Sequence, residues 1–587
     1  MRTNVPRVLL GALPALLAGM LLVSGCTGIP ETSSPQSVKS LVIQPQDQQV
    51  ASPEPGADPR SIVNAFLNAN ASGDPHHTGA RAFLTPEARN RWSDSTITVV
   101  DNPQVGNVDV KNRVTVKGQE IGTVDASGVY TPSLRGNGTG SGGVPVTPSF
   151  AVTRVRGQWR IDSLQNGLLV SYAQFQQYQQ RVLYFYDLPE QHLVPDPRFS
   201  QLTDPSALAE WLITQEVEGP RDVLQNAVTT ELPAQTDPKR VTVDVNGSPA
   251  RVAIPGAAQL DSTTKNRLAA QIGLTLAQVA QVDGIEITDG GRAVAIPKVN
   301  GTTFSAIDFA DQEASPPAES GLYYVRDGAA YDEFGAALPG RIGKGVYGLS
   351  SVALADRASS SGLLVAGVRG HRADGQLDIG SVAAGLIATS VHGRLSRPAW
   401  VPGEREVWIG AGPVLYRVAP AGKGASAAVV EVTAASGKAS GRVTAVRLSP
   451  DGSRVAIVLT NPDGGAQLWI GAVVRGPSGK ARVDGLAPIS PQGITVTDVA
   501  WNNELKLFAI GRDASTSDPG IYEVQVDGSL WTARGIGNLP QAPDSITVTE
   551  NVVASVSAGG TVWKQRAGLW VSPHGDETRG TNPVYVE

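Results

Sequence analysis

The side chain best placed for chemistry in this chain is a single thiol. Cys26 is the only cysteine among the 587 residues, so an internal disulfide is excluded. It closes an apolar run that begins near Val8, and Arg2 and Arg7 precede that run. A short basic segment, a short apolar stretch and small residues before a cleavage point are typical of a secretory signal peptide. The run, of about fifteen apolar residues, is shorter than the roughly 20 that span a bilayer.

The residues before the cysteine predict how it is modified. Val23-Ser24-Gly25-Cys26 resembles the bacterial lipobox, in which the cysteine sulfur is lipidated and cleavage leaves that cysteine first. We therefore predict that Cys26 carries a diacylglyceryl thioether and an N-acyl chain such as palmitate. Two or more acyl chains anchor a protein stably to a membrane. The predicted location is the extracytoplasmic face of the cell membrane; the alternatives are an uncleaved membrane anchor and a free buried cysteine.

The histidines do not form a recognisable metal motif. None has the His-Glu-x-x-His spacing of a helical zinc site, and thiolate sites are excluded because a second cysteine is absent. The adjacent pair at 76–77 follows Gly73-Asp74-Pro75, a turn signal, and is interpreted as a surface pair. We predict no metal site. The six histidines are His76, His77, His192, His371, His392 and His574.

Motifs for nucleophilic or nucleotide chemistry are also missing from the sequence. Gly138-Thr139-Gly140-Ser141-Gly142-Gly143 spells a dinucleotide fingerprint, but prolines follow it where a helix is required, so a loop is predicted. The carboxylate pairs Asp283/Glu286 and Asp451/Asp463 lie at turns, where turn geometry explains them. We predict no cofactor, no catalytic residue and no enzymatic activity. A site in the central channel of a β-propeller is the alternative.

Composition favours a turn-rich β protein. Charged residues make up 17% of the chain, which also has 65 glycines and 41 prolines. The net charge is −6 without any Lys/Arg tract, which argues against a nucleic-acid partner. Residues 1–25 are predicted as the signal peptide. Residues 26–57, rich in Ser, Pro and Gln, are predicted as the lipidated N-terminus and a flexible tether.

Residues 58–195 are predicted to form an α+β domain. Asp58-Pro59 and Thr85-Pro86 are helix-start signals, each with an N-cap followed by proline at the first helical position. Apolar residues then recur with period two from Ile97 to Ile161, which predicts a curled antiparallel sheet. The pattern resembles cone-shaped α+β modules of exported proteins, some of which hold a ligand.

Residues 196–310 are predicted to form a second α+β domain. Asp204-Pro205 starts a helix that Gly219-Pro220 ends, and another helix covers Lys265 to Val279. Asn246-Gly247 and Asp289-Gly290-Gly291 mark two hairpins.

The motifs of this second unit resemble those of the GerM-type sporulation and germination domain. The matching residues are Leu208, Leu212, Glu218-Gly219-Pro220, Thr275-Leu276-Ala277-Gln278-Val279 and Asp283-Gly284-Ile285. The resemblance implies a binding or assembly module without a catalytic constellation.

The rest of the chain, residues 321–587, is predicted to be an all-β propeller. Pro398-Ala399-Trp400, Arg447-Leu448-Ser449 and Val499-Ala500-Trp501 align at a spacing of about 50 residues, the period of four-stranded blades. Five or six blades fit the length; a sandwich of similar strands is the alternative. Tryptophan is concentrated here and is expected mainly in blade cores, with hot-spot roles for any that face outward. The seven tryptophans of this region are Trp400, Trp408, Trp469, Trp501, Trp531, Trp563 and Trp570.

The order of these parts resembles the LpqB family of actinobacterial lipoproteins over the whole mature chain. The fold class is thus multidomain, with two α+β modules followed by a propeller. The resemblance implies a non-catalytic accessory of the MtrA–MtrB two-component system that binds the extracytoplasmic domain of the sensor kinase MtrB. Only Cys26 carries over as a functional residue. The alternatives are an envelope scaffold or carrier for lipid or peptidoglycan, and a propeller-based glycan hydrolase or lyase.

Overall fold

The structure is a computed structural model. It describes residues 52–586 except 73, 75, 134–142, 190–191, 235, 313–320, 357–361, 371–372, 404, 422–423, 436–438, 477–479, 492, 550–553 and 574–578. Cys26, with the predicted signal peptide and most of the predicted tether, lies outside the described residues.

The N-terminal region packs short helices against one sheet. Both predicted helix starts are confirmed, because Asp58 accepts hydrogen bonds from the backbone of Arg60 and Ser61, and Thr85 accepts one from Ala88. The helices are α1 (Pro59–Ala69), α2 (Thr78–Arg81), α3 (Pro86–Arg91) and α4 (Tyr172–Phe175). The strands are β1 (Ile97–Val108), β2 (Arg113–Val124), β3 (Tyr130–Pro132), β4 (Val144–Val146), β5 (Ser149–Val155), β6 (Gln158–Ser163) and β7 (Leu168–Ser171).

The sheet of this region is mostly antiparallel, as predicted, with one parallel pair. Its order is β6-β5-β2-β1-β7, with β3 and β4 also paired to β2, and β7 runs parallel to β1. The apolar face of α1 packs on the sheet, where Phe66 meets Trp92 and Phe150 edge-on. This arrangement places the turn after β2 at the border with the rest of the chain.

The middle region combines a hairpin with a split sheet and two helices. Its helices are α5 (Pro205–Glu218) and α6 (Ser262–Leu276), and its 3-10 helices are Asp222–Leu224, Pro238–Arg240, Ala257–Gln259, Pro297–Val299 and Ala306–Gln312. The strands are β8 (Gln179–Asp187), β9 (Leu193–Ser200), β10 (Val228–Thr229), β11 (Thr242–Asp244), β12 (Ala250–Ala253), β13 (Ile285–Asp289), β14 (Arg292–Ala293) and β15 (Thr303–Phe304). Helix α6 connects the parallel strands β12 and β13, and the two predicted hairpins are β11–β12 and β13–β14.

The C-terminal region is the predicted propeller, and its described residues form six sheets. A four-residue helix, α7 (Gly340–Gly343), lies between the first two blades along the chain. Blade 1 is β16 (Leu322–Arg326), β17 (Ala329–Asp332) and β39 (Thr581–Tyr585). Blade 2 is β18 (Leu349–Ala355), β19 (Leu364–Arg369), β20 (Gly375–Ser381) and β21 (Gly385–Gly393). Blade 3 is β22 (Ala399–Trp400), β23 (Val407–Ala411), β24 (Val414–Ala421) and β25 (Gly424–Val429).

The other three blades follow in chain order. Blade 4 is β26 (Glu431–Ala434), β27 (Arg442–Leu448), β28 (Arg454–Thr460), β29 (Ala466–Arg475) and β30 (Ala481–Pro488). Blade 5 is β31 (Ile494–Asn503), β32 (Lys506–Asp513), β33 (Pro519–Gln525) and β34 (Trp531–Ala533). Blade 6 is β35 (Pro543–Val548), β36 (Ala554–Ala558), β37 (Thr561–Arg566) and β38 (Leu569–Val571).

The inner strands close the blades into a ring. Contacts run from β18 to β22, β27, β31 and β35, and β35 contacts the last strand, β39, which in turn contacts β18. Because β39 pairs with β16, the two ends of the propeller segment share blade 1. The ring is thus closed through blade 1, which contains strands from both ends of the segment.

Tryptophans at repeated positions join neighbouring blades. Trp400 donates from Nε1 to the carbonyl of Ala353 in the preceding blade at 3.1 Å, and Trp501 does the same to Arg447 at 3.0 Å. Both rings are buried. The expected core role of the repeat tryptophans is therefore confirmed at these two positions, which the sequence repeat aligned.

No helix among the described residues is long and apolar enough to cross a bilayer.

Candidate interaction site at the junction of three regions

A buried carboxylate of strand β9 forms the centre of the junction. Asp196 is fully buried and accepts from Arg198 Nη2 at 2.8 Å, from Arg221 Nε at 2.6 Å and from the Arg221 backbone at 2.9 Å. Burial alone would raise the pKa of Asp196, but the guanidinium groups of Arg221 and Arg198 outweigh it and hold that pKa below its usual range. The group is therefore a charged anion at neutral pH.

The same charges reach the N-terminal region and the propeller. Arg198 donates from Nη1 to Ser127 Oγ at 3.3 Å, in the turn after β2. From the propeller side, Arg454 donates from Nη2 to the carbonyl of Pro195 at 2.5 Å. Arg198 and Arg454 are both buried, so these hydrogen bonds are shielded from water. All three regions are thus held by one network of charge-assisted hydrogen bonds.

The propeller's contribution comes from the turn between β27 and β28. Asp451 accepts from the Ser453 backbone at 3.0 Å and lies 3.7 Å from Arg454 Nη1. Burial lowers the pKa of Arg454, and the nearby Asp451 carboxylate counteracts that shift. The turn that the repeat pattern predicted therefore also positions the arginine that contacts the middle region.

A cleft opens beside this network, and we call it the junction cleft. One wall is the turn of the β8–β9 hairpin, with residues 187–189 and His192; the opposite wall is the propeller turns 401–403 and 450–453 together with Arg475. Its volume is about 230 Å³. Prolines at 189, 402 and 450 and the half-exposed Leu188 belong to the apolar part of a lining that also contains Asp187, His192, Asp451 and Arg475. Two different regions of the chain therefore shape one binding surface.

Polar side chains on both walls of the cleft have hydrogen-bond or ion-pair partners within the protein. The His192 backbone donates to Asp187 at 3.1 Å, and the hydrogen bond from its ring to the Asp187 carboxylate raises the pKa of His192. On the opposite wall, Arg475 Nη1 lies 3.5 Å from Glu406, which also accepts from Arg417 at 2.8 Å. His192 and Arg475 on the two walls are thus both paired with carboxylates of the protein.

The axis of the propeller holds a second charged cluster. Asp498 on β31 accepts from Arg397 at 2.6 Å and from the Ile546 backbone at 3.0 Å, and Arg447 lies 3.5 Å away. Arg397 also donates to the carbonyl of Pro583 at 2.9 Å. These bonds connect the inner strands of different blades, so the charges at the axis stabilise the ring.

Comparison with known families agrees with the architecture. A family model described as "Lipoprotein LpqB, N-terminal domain" matches residues 52–176, and one described as "Lipoprotein LpqB beta-propeller domain" matches residues 331–586. Between them, residues 182–295 match a model described as "Sporulation and spore germination". The chain belongs to the LpqB lipoprotein family.

Relatives with the same family name match along three quarters or more of the chain. Lipoprotein LpqB of Rhodococcus jostii (strain RHA1) is 29% identical over 94% of this chain and 95% of its own length. Lipoprotein LpqB of Mycolicibacterium smegmatis (strain ATCC 700084 / mc(2)155) is 28% identical over 76% of this chain and 78% of its own length. Among solved structures, the nidogen/laminin complex aligns with a TM-score of 0.33 and 9% identity, covering 46% of this chain and 98% of that chain.

The histidines of this LpqB family member do not converge on one site. His77 Nδ1 lies 3.0 Å from Asp94, which also pairs with Arg81, whereas His192 lies in the junction cleft. His392 is exposed on strand β21. His371 and His574 lie outside the described residues, as does the glycine run 138–142.

The carboxylate pairs singled out in the sequence have separate structural partners. Glu286 accepts from Thr302 at 3.1 Å, and Asp463 accepts from the Gly465 backbone at 3.2 Å, within its own turn. Within the part of the chain that the structure describes, no three histidine, cysteine or acidic side chains are grouped as metal ligands would be.

The residues that build the junction were not identified from the sequence. Asp196 and Arg198 lie on β9, every residue of which is buried. Charged side chains inside such a strand, each beside a proline, are a signal that they have internal partners. Arg221 directly follows Glu218-Gly219-Pro220, one of the motifs that resemble the GerM-type domain. A sequence motif therefore lies next to this junction residue.

Proposed function

We propose that this chain is a lipid-anchored, extracytoplasmic accessory protein that binds the outer domain of a sensor histidine kinase and modulates two-component signalling in cell-envelope and division control. The lipobox-like residues before Cys26 support the anchor. Membership of the LpqB family supports a non-enzymatic accessory role and, through the family's implied partner, points to the kinase MtrB.

The observation that carries the proposal is the junction cleft. Its walls belong to two regions that the Asp196 network holds in a fixed arrangement, and its lining includes the half-exposed Leu188. A partner bound there contacts the middle region and the propeller together, and a mixture of apolar and polar groups is typical of protein interfaces. The groups that could do acid–base chemistry in the cleft are already paired within the chain.

The anchor and the cleft have separate roles in this proposal. Lipidation of Cys26 would confine the protein to the membrane from which a sensor's outer domain projects, which raises the effective concentration of the pair. The tether of roughly 30 residues sets a reach on the order of 30 Å if it behaves as a flexible coil. The kinase would respond because its signalling states differ in affinity for the accessory.

Photo-crosslinking in intact cells tests the proposal. A photoreactive amino acid at Leu188, which lines the cleft, is compared with the same amino acid at Leu569, an exposed leucine on the outer strand of blade 6. We expect the kinase to be captured from position 188 and not from position 569. Capture of glycan or lipid alone from position 188 would reject a kinase partner at this cleft.

A second arm addresses the anchor. Replacing Cys26 with Ala should leave the propeller folded but weaken the effect on signalling, because an unanchored protein loses the confinement to the membrane. Normal signalling by an exported, unanchored Cys26→Ala protein at native abundance would contradict this part of the proposal.

A further inference from the structure

The outer strands of most blades are short or engaged within the chain. Blades 5 and 6 end in strands of three residues, β34 and β38. In blade 1 the outer strand β17 has four residues, and a bridge between Tyr331 and Ala337 folds the following chain back over it. Short or covered edge strands prevent pairing with other chains.

Blade 2 has a long outer strand whose edge is also engaged. The backbone N–H of Leu386 on β21 donates to the hydroxyl of Tyr347 at 2.9 Å. Further along, the Gln376 side chain donates to the carbonyls of Thr389 at 2.8 Å and Val391 at 3.2 Å, and the pairing of β20 with β21 is irregular there. Side chains of the same blade therefore already use backbone groups of β21.

Residues 424–434, which we call the edge segment, differ from these strands. The segment is the outermost strand of blade 3 as β25 and then, after the single buried residue Val430, the outermost strand of blade 4 as β26. It contains no proline and one charged residue, Glu431, which is paired in register with Arg482 on β30. The part of the segment in β25 is uncharged, and an uncharged edge strand without proline is the kind that pairs with another strand.

The pairing with β24 determines which backbone groups face outward. Val430 donates to the carbonyl of Leu415 at 2.9 Å, which defines the hydrogen-bonded positions of this antiparallel pair. Because these positions alternate, Ala425, Ala427 and Val429 direct N–H and C=O away from β24. Pro420, which has no N–H, is opposite Ala425, as the alternation requires. Val429 is also 61% exposed.

We propose that the edge segment pairs with the same segment of a second copy of this chain, as an antiparallel two-fold strand pair with Ala427 at the axis. In that register Ala425 of one copy lies opposite Val429 of the other. Residues 424–430 are all uncharged, so the pairing sets no charge against another and covers the exposed Val429 side chains. The pairing is isologous, which closes the assembly as a dimer. This inference does not depend on the kinase proposed above.

Cysteine crosslinking in the full-length chain, in the membranes of expressing cells, tests the register. Opposed residues of a hydrogen-bonded antiparallel pair have Cα atoms about 5.5 Å apart, within the range that a disulfide bridges. Ala427→Cys should therefore form a reducible dimer on mild oxidation. Thr532→Cys, on the three-residue outer strand of blade 5, is the matched control. The wild-type chain reports any dimer formed through Cys26, its only cysteine.

Further variants test the register of the pairing and the effect of a charge on the edge strand, and each is checked for correct folding. Differently tagged Ala425→Cys and Val429→Cys chains should crosslink when co-expressed, whereas Ala425→Cys alone should not, because its partner position is 429. Val429→Lys added to Ala427→Cys should abolish the dimer by placing a charge at the edge. Thermal unfolding of each variant, matched to wild type, shows that the fold is retained.

The outcomes are clear-cut. A dimer through position 427, the 425/429 pair, its loss with Val429→Lys and no dimer through position 532 would establish the pairing. Absence of a dimer in folded Ala427→Cys protein, or an equal yield from Thr532→Cys, would overturn it.

Discussion

Two parts of the middle region each bury a carboxylate completely, but one part favours its charged form and the other its neutral form. At the junction face, Asp196 on β9 has two arginine partners and a lowered pKa. Between the helices α5 and α6, Glu216 is equally buried, but neither of its oxygens has a hydrogen-bond partner among the described residues. Burial raises the pKa of Glu216 well above its usual range, although Thr275 and Gln271 on the facing helix act in the other direction.

The difference shows which part of the region depends on charge. A buried ion with good partners is strongly destabilising to break, whereas a buried acid without partners destabilises the fold whenever it ionises. The junction therefore needs a charged Asp196, and the helix pair needs a neutral Glu216. Acidification should therefore destabilise the junction and remove the destabilisation of the helix pair.

The largest effect is expected from Asp196→Asn. The substitution leaves Arg198 and Arg221 buried without their counter-ion, and breaking such a pair costs about 3–5 kcal/mol. Chemical unfolding measures the loss. The control is Asp311→Asn, which removes an exposed carboxylate of the same region and should cost less than about 1 kcal/mol. A loss of similar size in the two variants would mean that the network does not stabilise the junction.

Arg454→Met should give the next largest effect. It removes the hydrogen bond to Pro195 and leaves Asp451 without its arginine, a loss of about 1.5–3 kcal/mol for a charged hydrogen bond. Because this contact joins the propeller to the middle region, calorimetry should show their unfolding transitions moving apart. Arg482→Met, in the same blade but half-exposed, is the control and should leave the transitions together.

Glu216→Gln should stabilise the protein near neutral pH, because the amide is neutral at every pH and is buried without the penalty of an ionised carboxylate. The folded-state pKa of Glu216 is raised, so its contribution to stability is fully present below the unfolded value, about 4.3, and is lost as pH rises through the folded pKa. The gain from the substitution should therefore shrink on acidification, as measured by unfolding at several pH values. A gain that does not vary with pH would show that Glu216 does not titrate as the structure requires.

The pH profile of Asp196→Asn should run the other way. Since the folded-state pKa of Asp196 is lowered, its contribution is present above the unfolded value of about 3.9 and is lost as pH falls through the folded pKa. The cost of Asp196→Asn should therefore diminish in acid. Parallel profiles for the Asp196 and Glu216 variants would remove the contrast between the two carboxylates.

The smallest effect is expected at the cleft. Asp187 raises the pKa of His192, so the small stability that this pair contributes is present below about 6.5 and is lost as pH rises through the folded pKa. NMR titration should show the His192 signal, assigned with His192→Gln, shifting to a lower pKa in Asp187→Asn. An unchanged His192 pKa would show that Asp187 does not cause the shift.

Local sequence signals predicted much of this fold. Asp58-Pro59 and Asp204-Pro205 predicted helix starts because an N-cap and a proline act within one turn of chain. The spacing of Trp400 and Trp501 predicted the blades, since both tryptophans contact the preceding blade in the same way. The lipobox-like residues before Cys26 predict a modification that depends on nothing but the adjacent residues.

Tertiary structure alone decided which residues meet. The predicted boundary between residues 195 and 196 falls inside β9, because the β8–β9 hairpin contributes Leu183 and Val194 to the core of the middle region. Arg454 lies 259 residues after Pro195, whose carbonyl it contacts, and no local pattern relates the two. Desolvation and ion pairing depend on the folded surroundings, so the fate of each buried charge is fixed only once the three regions have packed.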